Sequence, residues 1–124
     1  MSTHTLEAVL LALLLIVLSC GRCHAETTPL DGRVLFMDAK KGNCAACHRA
    51  PNDTSEAAKK IVATVGKPLQ NIASRFDRVQ LKAAIHDFSQ TIPAAGNTIM
   101  PPYGRHRILS DAEIDAVVAY VIQL

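Results

Sequence analysis

Two cysteines and a histidine stand together at Cys44-Ala45-Ala46-Cys47-His48, a spacing with a definite chemical use. Thiols separated by two residues can each form a thioether to one vinyl group of a single haem. The adjacent imidazole then lies beneath the iron as its proximal ligand. The same pattern occurs once more, at Cys20-Gly21-Arg22-Cys23-His24. That copy closes a leader-like stretch, with no folded chain ahead of it to wrap a macrocycle. It reads as coincidence, and one covalent haem c is expected. Other uses of Cys44 and Cys47 are weaker. A thioredoxin-like dithiol should follow a strand and open a helix within an α/β pattern, and a four-cysteine zinc site needs a second pair. A structural disulfide is the remaining alternative.

An iron held from below by His48 needs a group above it. Past the leader the methionines are Met37 and Met100. A thioether is a soft ligand that favours ferrous iron and raises the potential of a His-ligated haem. Met37 falls at an apolar position of an expected helix and reads as core. Met100 lies in Asn97-Thr98-Ile99-Met100-Pro101-Pro102-Tyr103-Gly104. Pro101 pushes Met100 out of the α region, and Pro102 removes another amide donor. A stiff, extended loop of this kind can deliver one sulfur to a fixed point, so Met100 is the expected sixth ligand. His86, inside an expected helix, and His106, between Arg105 and Arg107, are the competitors; both read as surface histidines.

Three helices are expected to position these groups. Leu30 to Asp38 reads as a short helix, with Pro29 at its first position and Gly42 closing it. Asp77 to Phe88 places Leu81, Ile85 and Phe88 on one face. Ser110-Asp111-Ala112-Glu113 is a capping box, followed by the apolar stripe Ile114, Val117, Val118, Val121 and Ile122. A helix of about 14 residues is marginal alone in water, so the stripe must pack, and the helix before Cys44 is its natural partner. Ile61 to Val65 is the one candidate strand.

The chain begins with an address. Ala8 to Leu18 is unbroken apolar sequence, suited to a secretory h-region and short of the ~20 residues that span a bilayer. A signal peptide over residues 1–25, cleaved after Ala25, and a domain over 26–124 are expected, in the periplasm. Val17-Leu18-Ser19-Cys20 also resembles a lipoprotein signal, which would leave Cys20 lipid-anchored; an uncleaved anchor is the third possibility. The net charge of +2, with the cations dispersed, argues against nucleic acid. Five aromatic residues of Phe and Tyr type and no Trp make only a modest core, which a large apolar cofactor would complete.

Taken together, the opening helix, the haem motif, the central helix, the Met-Pro loop and the capped last helix resemble a class I cytochrome c. The likeness is closer still to the SoxX family, the monohaem subunits of the thiosulfate-oxidising SoxXA complex. It rests on Lys41-Gly42-Asn43 with the haem motif, Arg75-Phe76, Met100-Pro101-Pro102-Tyr103-Gly104-Arg105-His106, and Ile108-Leu109-Ser110-Asp111-Ala112-Glu113-Ile114-Asp115. The resemblance implies an all-α class I cytochrome c fold, with one haem c on Cys44, Cys47, His48 and Met100. It implies a SoxA-like dihaem or monohaem partner that carries the catalysis. That complex, an L-cysteine S-thiosulfotransferase, joins thiosulfate to a cysteine of a sulfur carrier protein, and this subunit would pass the electrons to a soluble cytochrome. None of its own residues would be catalytic. A free-standing periplasmic electron shuttle is the alternative. Two segments depart from the family. Gly66-Lys67-Pro68-Leu69 stands where Gly-Pro-x-Leu is usual, which leaves the group that orients His48 unassigned, and Ile92 to Asn97 lacks the usual Asn-Pro opening.

Overall fold

Short acceptor side chains begin the helices of this chain, because the first amides of a helix have no partner within it. The computed structural model describes residues 29–91 and 98–124. The expected signal peptide, the Cys20–His24 motif and the Ile92–Asn97 segment lie outside those residues. Helix α1 is Gly32–Met37, α2 is Glu56–Lys59, α3 is Arg78–His86, α4 is Phe88–Thr91 and α5 is Asp111–Val121. Two 3-10 turns, Cys44–Ala46 and Ile72–Ser74, lie between them. Among the described residues there is no strand, and Ile61 to Val65 runs as irregular chain. The expected all-α fold is what forms.

The boundaries differ from expectation for local reasons. Helix α1 starts after Asp31, whose carboxylate accepts from the amides of Arg33 at 2.9 Å and Val34 at 3.2 Å. Pro29 and Leu30 therefore lie outside it. Its end is Asp38, not Gly42: Asp38 turns extended while its amide still bonds to the Val34 carbonyl. Gly42 serves a close approach instead, since a Cβ there would stand 2.4 Å from the Leu35 carbonyl oxygen. Helix α3 stops at His86 because Asp87 adopts φ −158°. Phe88 thus opens α4 and leaves the Leu81–Ile85 face. At α5 the capping box is complete, with Ser110 Oγ accepting from the Glu113 amide and the Glu113 carboxylate accepting from the Ser110 amide.

Helices α1 and α5 cross at Gly32, where a Cβ would sit only 1.9 Å from the Ala116 carbonyl oxygen. Just along the crossing, the rings of Phe36 and Tyr120 meet edge to face, 5.3 Å between centroids and 64° between planes. Phe36, Ile114 and Val117 are fully buried there. Each such side chain contributes roughly 1.5–3 kcal/mol of burial, enough to hold helices too short to persist alone. Leu81 and Ile85 bring α3 into the same core. Outside the core, Lys82 reaches the Asp115 carboxylate at 2.8 Å and Lys41 reaches Glu113 at 2.7 Å. The second pair ties the turn before Cys44 to the start of α5.

Candidate haem attachment site

Asn43 adopts the left-handed conformation, φ 47°, just ahead of Cys44, a setting that Asn tolerates better than most residues. The chain then winds into the 3-10 turn, with the Cys47 amide 3.1 Å and the His48 amide 2.8 Å from the Cys44 carbonyl. In such a turn residues three apart come off the same side of the chain, the relation in which Cys44 and its C-cap Cys47 stand. The two are not joined to each other and both are half-buried, so the disulfide reading has no support. Burial pushes the Cys44 thiol up to about 11. A redox-active dithiol needs the opposite shift. Among the described residues no three of His, Cys, Asp and Glu converge as a metal-binding group, and the zinc reading likewise gains nothing.

His48 Nδ1 lies 2.8 Å from the carbonyl oxygen of Lys67. A carbonyl only accepts, so Nδ1 carries the proton and donates, leaving the lone pair of Nε2 for a metal. The supporting segment is itself strapped to the motif. The Gly66 amide donates to the Cys47 carbonyl at 2.7 Å and the Leu69 amide to the Arg49 carbonyl at 2.8 Å. Gly66 is packed so closely on the imidazole that a Cβ would fall 2.5 Å from its ring atoms. The orienting group sought in the sequence is thus a backbone oxygen of Lys67. Side-chain type gives no signal for it beyond the neighbouring Gly66 and Pro68.

Met100 is half-buried in irregular chain and packs against the core cluster, its amide 3.0 Å from Thr98 Oγ1. Three residues on, Tyr103 is buried in the same core cluster, against which Cys44 also packs. Burial, with the two cysteines nearby, pushes Tyr103 up to about 12. The loop that carries Met100 and the turn that carries Cys44 therefore share one face of the molecule. Tyr103 had no assigned role in the sequence; its place in the Met-Pro-Pro-aromatic pattern was the available signal. Of the other candidates, Met37 is half-buried against the core, and His86 and His106 are exposed. A cleft of about 570 Å³ opens beside Ala45 and Ala46, lined also by Lys60, Ile61 and Val65, but by neither His48 nor Met100.

Farther along, Tyr120 donates its hydroxyl to Asp53 Oδ2 at 2.7 Å, and the Ser55 amide donates to Asp53 at 2.8 Å. The Tyr120 hydroxyl holds Asp53 below the usual carboxylate range, while burial, and then the bond to Asp53, pushes Tyr120 upward. The Asp53–Tyr120 bond ties the chain just beyond His48 to α5.

An all-α scaffold carrying a Cys-x-x-Cys-His turn with a hydrogen-bonded imidazole suits a haem-carrying electron-transfer protein. The chain belongs to the cytochrome c family, whose sequence pattern matches residues 29–124. It is a c-type cytochrome with covalently bound haem c. When bound, that group supplies a one-electron ferric–ferrous couple. No curated protein matches the chain at a significant level.

Proposed function

We propose that Cys44 and Cys47 carry the thioethers and that His48 and Met100 are the two axial ligands. We further propose that the cytochrome works in the periplasm as the monohaem subunit of a thiosulfate-oxidising SoxXA complex. The observation that carries the ligand set is the packing of Tyr103, Cys44 and Met100 in one core cluster, since it brings the Met100 loop onto the attachment turn. Each residue then has a defined task. Lys67 O fixes the imidazole tautomer, Gly66 leaves the ring room, and Pro101 and Pro102 stiffen the approach of the sulfur. Held by these residues, the haem would supply one-electron transfer. Support for the SoxXA assignment is the run from Met100-Pro101-Pro102-Tyr103-Gly104 into the Ser110–Glu113 helix start, together with the secretory leader. A SoxA-like partner would hold the catalytic haem and act on the sulfur carrier protein, and this chain would hand electrons to a soluble cytochrome.

The test is co-purification of the exported holoprotein with a SoxA-like haem subunit, through an interface larger than ~1,000 Å². A persistent monomer at micromolar concentration with that subunit present would overturn the assignment. The free-standing shuttle would then be the function, because the haem motif and Met100 loop suit it equally. Rapid carbon monoxide binding by the reduced protein would reject Met100 as a ligand.

A further inference from the structure

Asp87 is a buried charged residue in the core-facing part of the chain, 6% exposed, and such a carboxylate requires partners. It stands where α3 ends and the chain departs toward Met100. On the departing side, Asp87 Oδ1 accepts from Ser89 Oγ at 2.6 Å, and its backbone carbonyl accepts from the Gln90 amide at 3.2 Å and Thr91 Oγ1 at 2.7 Å. On the returning side, Asp87 Oδ2 pairs with Arg105 Nε at 3.1 Å. The amides of Gly104 and Arg105 also donate to the His86 carbonyl, at 3.1 and 3.3 Å. Gly104 lies so close that a Cβ would fall 2.0 Å from His86 Cδ2. The two stems of the Met100 loop therefore meet at one carboxylate.

We infer that Asp87, acting through Ser89 and Arg105, is a positioning residue that fastens the neck of the Met100 loop and keeps the Met100 sulfur on the iron. This rests on the proposal that Met100 is the sixth ligand. The returning stem is separated from Met100 by Pro101, Pro102 and Tyr103, two of which have fixed φ. A shift at Arg105 is thus passed to Met100 with little lost to chain flexibility. The carboxylate side chain is buried while Arg105 is 54% exposed. Removing the acid loses the side-chain bonds to both stems and leaves the backbone ones, whereas removing the base leaves the Ser89 bond in place.

Imidazole added to the ferric holoprotein competes with the sulfur, and its rate of binding reports how often the loop releases it. Arg105→Gln should raise that rate by roughly fivefold, the range expected for a partly exposed pair. Asp87→Ala should raise it further, and Arg105→Lys should stay near the wild-type rate. The weak near-infrared sulfur-to-iron band should fade in the same order. Gly32→Ala, remote from the loop, should lower the melting temperature yet leave the imidazole rate within about twofold, because additivity holds for distant sites. Unchanged rates in Asp87→Ala and Arg105→Gln would overturn the inference while leaving Met100 as ligand. Absence of the sulfur band from the wild-type ferric protein, or its survival in Met100→Leu, would reject the ligand and the fastening with it. Should Asp87→Ala fail to fold, Arg105→Gln decides alone.

Discussion

His48 Nδ1 and the Lys67 carbonyl oxygen lie 2.8 Å apart, and Gly66, the residue before that carbonyl's own, leaves no room for a methyl group against the ring. The contact is made by backbone, so the side chain of Lys67 is dispensable and the hydrogen at Gly66 is not. Lys67→Ala should leave the visible spectrum and the reduction potential unchanged. Gly66→Ala must displace either the imidazole or the strap, at a cost of about 1–3 kcal/mol, and should reduce holoprotein yield and lower the melting temperature. Equal behaviour of the two variants in spectroelectrochemistry and thermal melts would show that this carbonyl does not set the ring.

The proposed attachment at Cys44 and Cys47 fixes a stoichiometry. If Cys44 and Cys47 both carry thioethers, the denatured, exported protein should contain no thiol open to alkylation and one haem per chain. Cys44→Ala should retain the haem through one thioether, with the pyridine haemochrome band displaced accordingly. Two alkylatable thiols in a coloured protein would remove the attachment from this turn.

Chemistry tied to residue type was the legible part of this site. Cys44, Cys47 and His48 stand out in the sequence by their spacing, and Met100 stands out as the proposed sixth ligand by the prolines that follow it. The Ser110–Glu113 capping box and the stripe from Ile114 to Val121 read correctly because local hydrogen bonding and helical period are sequence-local properties. The group orienting His48 could not be read, since a carbonyl oxygen belongs to every residue. Nor could the start of α1: Pro29 suits a first helical position, but the Asp31 side chain competes for the same amides and wins. The break at Asp87 was hidden for a similar reason. Its carboxylate prefers Ser89 and Arg105, partners one of which lies far along the chain.

The crossing of α1 and α5 depends on one missing side chain. Gly32 lets the Ala116 carbonyl approach to where a Cβ would be 1.9 Å away, and Phe36 packs on Tyr120 only at that separation. Gly32→Ala should therefore destabilise the holoprotein by about 1–3 kcal/mol or more, despite the better helix propensity of Ala. Val34→Ala, on the exposed face of the same helix, should stay within about 0.5 kcal/mol of wild type. Denaturant unfolding of the two variants tests this directly, and a neutral Gly32→Ala would mean that the helices do not meet at that residue.

Acid should unfold the protein through carboxylates that the fold holds ionised. The Tyr120 hydroxyl lowers Asp53 from the ordinary 3.8, the Lys41 ammonium lowers Glu113 from 4.5, and the Ser89 hydroxyl lowers Asp87 from 3.8. With pKa depressed in the folded state, the unfolded chain binds more protons as pH drops, so these groups contribute stability that is complete above their ordinary values and lost as pH falls through the depressed ones. The melting temperature should be flat from pH 7 to about pH 5 and decline below about pH 4. Asp53→Asn should start from a lower melting temperature at pH 7, having lost the ionised acceptor of Tyr120, and should decline less steeply in acid. Parallel curves for the variant and wild type would show that the Asp53–Tyr120 bond contributes nothing to acid sensitivity.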